Sequence, residues 1–228
     1  MSQILVKIKA YFYLVEFLVT IAFIIVLMYL FPKHNHKIRQ KWAAFQLKFL
    51  GIKIEEVGEI DPDTQLFMIN HQSLLDIVIL EYLHTKNIAW VAKKEIEKLP
   101  FFGHIIKAPK MISVNREDKA GLIKLIKDVD DRLSQGRPIA IFPEGTRSCG
   151  KKMLPFKSGA KVVANKFDLK VQPVVIIGSK DRLDSVKLKA TSGVIKVIYL
   201  PAFKASKDSD WFKDVELKMN EVFVKGSL

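Results

Sequence analysis

The run YFYLVEFLVTIAFIIVLMYLF, residues 11–31, is the feature that most limits what this chain can become. It holds 21 residues and one charge, Glu16. As a helix it is roughly 30 Å long, about the thickness of a bilayer's hydrocarbon core. No small-residue cleavage site of the A-x-A kind follows it, so it does not read as a cleaved signal peptide. Lys7 and Lys9 precede it, and Lys33, Lys37, Arg39 and Lys41 follow. The heavier basic flank lies toward the bulk of the chain. In a spanning helix that bias holds the following domain on the cytoplasmic side of the inner (plasma) membrane. With Glu16 in its first third and basic residues at both ends, the run also suits a re-entrant or interfacial helix. A long helix buried in a protein core has the same composition.

The next segment continues the theme. Trp42, Phe45, Leu47 and Leu50 recur at helical spacing among Lys37, Arg39, Lys41 and Lys48, a basic amphipathic pattern suited to an anionic lipid surface. His34 and His36 are two apart, but no neighbouring ligands complete a metal site, so the expectation is a solvated flank and no metal. The whole chain of 228 residues carries a net charge of +13, which favours an anionic partner. Nucleic acid fits the charge, but no DNA- or RNA-binding motif accompanies it. A single cysteine, Cys149, excludes an internal disulfide framework and marks no nucleophile, since no base is paired with it.

From residue 52 the pattern alternates between apolar strand-like runs and helical stretches. Strands are expected at 52–57, 66–69, 88–92, 111–114, 138–142, 171–176 and 194–200, and helices at 74–83, 120–134 and 159–165. The expected fold is α/β: a mostly parallel sheet of about seven strands flanked by helices. Residues 1–51 form the membrane-associated N-terminal part and 52–228 the α/β domain. The tail beyond Lys204 is polar, then amphipathic, and reads as a peripheral helix.

Two polar constellations interrupt the apolar pattern. In NHQSLLD, His71 and Asp76 are five apart, about 140° around a regular helix, so they meet only if His71 precedes the helix and folds back over its first turn. Ser73-Leu74-Leu75-Asp76 supplies the start signal, a capping box with Ser73 at N-cap and Asp76 at N3. An ionised carboxylate there is favoured by the helix N-terminus. It can hold one imidazole nitrogen and leave the other as a general base. Capping alone explains the same residues. The second constellation, FPEGTRS, follows an apolar strand, where α/β sheets gather ligands. Arg147 has the planar fork for a phosphate and Glu144 can accept hydrogen bonds from hydroxyls. An ordinary turn with a surface ion pair has the same sequence. Gly145-x4-Gly150-Lys151 lacks the Ser or Thr of a P-loop, because Lys152 stands there.

Together these blocks resemble the glycerolipid acyltransferases. NHQSLLD is similar to their N-H-x4-D signature and FPEGTRS to their E-G-T-R block. Between and after them, AKKEIEKLPFFG, MISVNRED and VQPVVI resemble three further blocks, so the likeness covers roughly 66–176. Two positions depart from the pattern. Ser113-Val114-Asn115-Arg116 replaces Phe-Ile-Asp-Arg, which bears on the acceptor headgroup, and Ile96 replaces Leu. The resemblance implies acyl transfer from acyl-CoA or acyl carrier protein to the sn-2 hydroxyl of lysophosphatidic acid, with no cofactor. It implies His71 as base, Asp76 as its partner, and Glu144, Gly145, Thr146, Arg147, Arg116 and Lys93 as substrate-binding residues. Another lysophospholipid or a lyso-aminolipid as acceptor, and a non-catalytic lipid-binding protein on the same fold, are the alternatives it leaves open.

Overall fold

The computed structural model describes residues 3–115, 119–150 and 152–227. Two helices open the chain, α1 (Gln3–Leu30) and, after one 3-10 turn at Pro32–His34, α2 (Asn35–Leu50). Pro32 bars the helical conformation at Phe31, which ends α1. Gly51 ends α2 in a left-handed conformation (φ 71°), its N–H reaching Leu47 and Lys48 carbonyls. Then come β1 (Ile52–Val57), β2 (Leu66–Ile69), α3 (Leu75–Leu83), β3 (Ala89–Lys93), α4 (Lys94–Glu97), α5 (His104–Lys107), β4 (Ile112–Val114), α6 (Lys119–Ser134) and β5 (Ile139–Ile141). The chain closes with α7 (Gly159–Lys166), β6 (Lys170–Ile177), α8 (Ser179–Arg182), the two-residue strands β7 (Leu183–Asp184) and β8 (Lys189–Ala190), β9 (Gly193–Tyr199), β10 (Phe203–Lys204) and α9 (Trp211–Gly226).

The α/β expectation holds. The sheet runs β1-β9-β6-β2-β5-β3-β4, and β10 adds a short antiparallel pairing to β6. Along that seven-strand order every pairing is parallel except that of β9 with β6. All seven strands expected from the sequence are in this sheet. The central strands are covered on both faces, which is why LFMI and IAI are apolar at every position. Alternate residues serve different cores. Phe67, Ile69, Trp90 and Phe142 face the core shared with α1, α2 and α3, while Leu66, Met68, Val91 and Ile141 face the core shared with α6, α7 and α9. The C-terminal helix is therefore a layer of the second core, not a loose appendage: Met219 and Phe223 are buried.

The apolar N-terminal helix is held to the body along one stripe. Ala10, Tyr13 and Phe17 join the first core, whereas Phe12, Val19, Phe23 and Leu30 are exposed. Its one charge in the run is clasped by α2. Gln46 donates through Nε2 to Glu16 (2.9 Å) and to Thr20 Oγ1 (3.1 Å), and Trp42 donates to the same hydroxyl (3.0 Å). Arg39 corrects the sequence reading of α2. It is not part of a lipid-facing basic surface but buried, paired with Glu81 of α3 and donating to Asn87 Oδ1 (2.5 Å). Trp90 also donates to Glu81 (2.7 Å). His36, expected as solvated flank, meets the Thr85 carbonyl at 2.9 Å. Removing one partner of a buried ion pair strands the other charge. Glu81→Ala is expected to cost about 3–5 kcal/mol in urea unfolding; a cost below 1 kcal/mol would show the pair to be dispensable.

Candidate active site

Because β2, β3, β4, β5 and β6 are parallel, their carboxyl ends lie along one edge, and both constellations follow strands there. β2 stops at Ile69, and buried Asn70 takes over its pairing. Asn70 Nδ2 donates to the Ile176 carbonyl (2.8 Å), and its Oδ1 accepts the Ile176 N–H (2.7 Å). This clamp fixes the backbone from which His71 projects.

His71 does fold back over the first turn of α3. Its Nδ1 lies 3.0 Å from Asp76 Oδ2. The same oxygen accepts the N–H groups of Gln72 (2.6 Å) and Ser73 (2.8 Å). Asp76 has no exposed surface, whereas the His71 side chain is 15% exposed. Capping and pairing are thus one arrangement: the carboxylate closes the helix start and takes the imidazole Nδ1–H. The hydroxyl half of the capping box is different. Leu74, not Ser73, is the N-cap residue, and it supplies no side-chain bond. Ser73 Oγ accepts from the Leu75 N–H at 3.3 Å and donates to the Leu183 carbonyl at 2.7 Å, tying the helix start to the β7–β8 hairpin.

Phe142, the residue after β5, stacks on the imidazole with ring centroids 3.9 Å apart and planes 13° apart. Trp90 stacks on Phe142 in turn at 5.3 Å and 24°. The stack holds the imidazole plane and offers an aromatic face to an imidazolium. Sequence reasoning assigned no role to Phe142 or Trp90, although an aromatic residue directly before the Pro143-Glu144-Gly145 turn was a usable signal.

Glu144 departs from the role expected of it. It is 1% exposed, and both carboxylate oxygens are taken by backbone amides. Oε1 accepts the His71 N–H (2.7 Å) and Oε2 the Leu154 N–H (2.6 Å). It braces the His71 loop and has no oxygen turned to substrate hydroxyls. Ser148 N–H adds a bond to the His71 carbonyl (2.8 Å), and Gln72 Nε2 donates to Ser148 Oγ (3.2 Å). Burial pushes the Glu144 carboxyl up to about 7, with the Asp76 charge adding to it, against the opposite pull of the two amides.

His71 opens onto a cavity of about 410 Å³, within the range of ligand pockets. Ile21 and Ile24 of α1, Trp42 of α2, Ile77 and Ile105 are among its apolar walls, so α1 and α2 help to build it. Lys93, Gly145, Thr146 and Arg147 line it too. Arg147 is exposed and donates to Ser185 Oγ (3.1 Å) of the hairpin loop. Four proposed substrate residues therefore share the His71 cavity, Glu144 lies behind it, and Arg116 lies outside the described residues. Among the described residues no group of three His, Cys, Asp or Glu side chains is arranged to hold a metal ion.

Comparison with known proteins agrees on one group. The model of a family described as Acyltransferase matches residues 52–177. A 1-acyl-sn-glycerol-3-phosphate acyltransferase of Helicobacter pylori is 40% identical over 209 residues, 90% of this chain and 88% of that protein. One of Chlamydomonas reinhardtii is 28% identical over 93% of this chain and 68% of that protein. The crystal structure of the 1-acyl-sn-glycerophosphate (LPA) acyltransferase PlsC from Thermotoga maritima superposes with a TM-score of 0.74. It covers 98% of this chain and 93% of that one at 23% identity, a likeness of fold.

Proposed function

This chain belongs to the acyltransferase family, and we propose that it moves a fatty acyl group from a thioester to the sn-2 hydroxyl of lysophosphatidic acid, giving phosphatidic acid. The observation that carries this is the pinned imidazole. His71 has Nδ1 engaged by buried Asp76 and lies on the wall of an apolar cavity that also holds Arg147 and Lys93. Asp76 selects the tautomer with Nδ1–H, which leaves Nε2 as the base. The acceptor hydroxyl gives its proton to Nε2 as its oxygen attacks the thioester carbonyl. Asp76 and the Phe142 face stabilise the imidazolium. The tetrahedral intermediate collapses with C–S cleavage, and the imidazolium returns the proton to the leaving thiolate. No covalent acyl-enzyme forms. Acyl-CoA and acyl carrier protein are both donors of the required chemistry.

Arg147 and Lys93 hold the acceptor phosphate, with Arg116 a third candidate from the sequence. Arg147→Ala is expected to raise the acceptor KM by about tenfold or more, the worth of a charge-assisted contact, with a smaller effect on kcat. An unchanged acceptor KM would remove Arg147 from the phosphate site. Competition among lysophosphatidic acid, other lysophospholipids and a lyso-aminolipid tests the acceptor itself. Preference for an acceptor without a terminal phosphate would contradict the assignment.

Both substrates are amphiphiles, so the N-terminal pair acts as a membrane anchor. The exposed face of α1 (Phe12, Val19, Phe23) is apolar and that of α2 sets Phe45 and Phe49 beside Lys41 and Lys48, while the opposite stripe of α1 is bound to the catalytic body. This favours lying in one leaflet over crossing the bilayer. The net charge draws the enzyme to anionic lipid on the cytoplasmic side.

A further inference from the structure

A second cavity of about 420 Å³ lies on the other face of the sheet from α1. Val114, Leu125 and Ile141, all of the second core, form part of its wall, and Asn115, Lys157 and Ser158 add polar groups. It shares Val91, Phe142 and Gly145 with the cavity that holds His71. Two chambers of nearly equal size therefore meet at the turn after β5, one on each side of the sheet, beside the imidazole.

The two sides differ in what can reach them. The first chamber is walled partly by α1, whose outer face is apolar. The second is walled by α6, α7 and the turn before α7, where Lys124 and Lys127 of α6 and Lys157 of that turn are exposed. A lipid acceptor comes from the apolar side, and a water-soluble thioester from the basic one. Both thioester donors named above carry the same arm, 4′-phosphopantetheine, with a gem-dimethyl carbon, two amides and a phosphate. Resting on the acyl-transfer reading, we propose that the second chamber binds this phosphopantetheine arm. Its carbon skeleton lies against Leu122 and Leu125, its amides lie near Asn115 and Ser158, and its phosphate lies toward Lys157. The acyl chain crosses past Phe142 into the first chamber, which sets the thioester carbonyl beside His71.

The test uses the full chain in anionic vesicles with three donors of one acyl chain: acyl-CoA, acyl carrier protein, and the short N-acetylcysteamine thioester, which lacks the phosphate half of the arm. Leu122→Trp and Ser158→Trp put bulk in the chamber from positions exposed to solvent. Lys157→Glu reverses its charge without bulk. In each variant, kcat/KM for acyl-CoA and for acyl carrier protein is expected to fall about tenfold relative to the short thioester, and the lysolipid KM to stay as in the wild type. Unchanged donor ratios in Lys157→Glu and in the folded Trp variants would overturn the proposal. A loss confined to acyl-CoA would also overturn it, because the chamber would then read the nucleotide and not the shared arm. A wild type that transfers from none of the three donors would instead sink the acyl-transfer reading.

Discussion

His71→Ala is expected to lower turnover by about two to four orders of magnitude, the worth of a positioned general base, with little loss of stability. The asymmetry comes from the geometry. His71 is partly exposed, and Asp76 Oδ2 keeps the Gln72 and Ser73 amides when the imidazole is gone. Asp76→Asn separates the two duties of the carboxylate. An amide oxygen in place of Oδ2 still caps α3 but carries no charge for an imidazolium, and its NH2 group falls where buried Oδ1 has no partner among the described residues. Activity is expected to fall by at least tenfold together with a modest loss of stability. Wild-type rates in His71→Ala, with folding intact by thermal melting, would leave the pair as a helix cap only.

The second large effect is expected at Glu144. Glu144→Ala leaves the amides of His71 and Leu154 unpaired in the interior, on the order of 1–3 kcal/mol each, and frees the backbone that carries His71. Glu144→Gln can serve one amide, but its NH2 group faces the other N–H. Both variants should lose kcat more than they change substrate KM, because Glu144 braces the His71 loop and does not line the His71 cavity. A rise in acceptor KM with kcat retained would restore the hydroxyl-binding role expected from sequence.

Glu144 also gives a pH signature. Its carboxyl is pushed up to about 7 in the fold, above the ordinary glutamate value of 4.5. Between those values the folded chain holds a proton that the unfolded chain has released, so this group's contribution to stability falls as pH rises from about 4.5 through about 7. Glu144→Gln removes that component, and its stability should be flatter over the same range in urea unfolding. An identical slope in both proteins would place the titrating group elsewhere.

The sequence carried the architecture because the strands are apolar runs bounded by turn residues, and the central ones are buried on both faces, as in LFMI and PIAIF. It carried His71 and Asp76 because a local capping signal fixes where α3 begins. What it did not carry is set by distant partners. Nothing local distinguishes Arg39 from its neighbouring lysines; only Glu81, 42 residues on, makes it a buried ion. Glu144 reads as a ligand until its two amides, one 73 residues upstream and one 10 downstream, are known. Glu16 looks costly in an apolar helix until Gln46 is placed beside it. The Phe142–Trp90 stack joins residues 52 apart in sequence, beyond the reach of any local pattern.

The most direct measurement is a parallel count of free thiol and phosphatidic acid formed by the purified full chain from acyl-CoA or acyl carrier protein thioester and lysophosphatidic acid in anionic vesicles. Direct transfer from a His71-activated hydroxyl predicts one phosphatidic acid per thiol, with both falling together in His71→Ala. Thiol released without phosphatidic acid, or product formation that persists in His71→Ala, would contradict it.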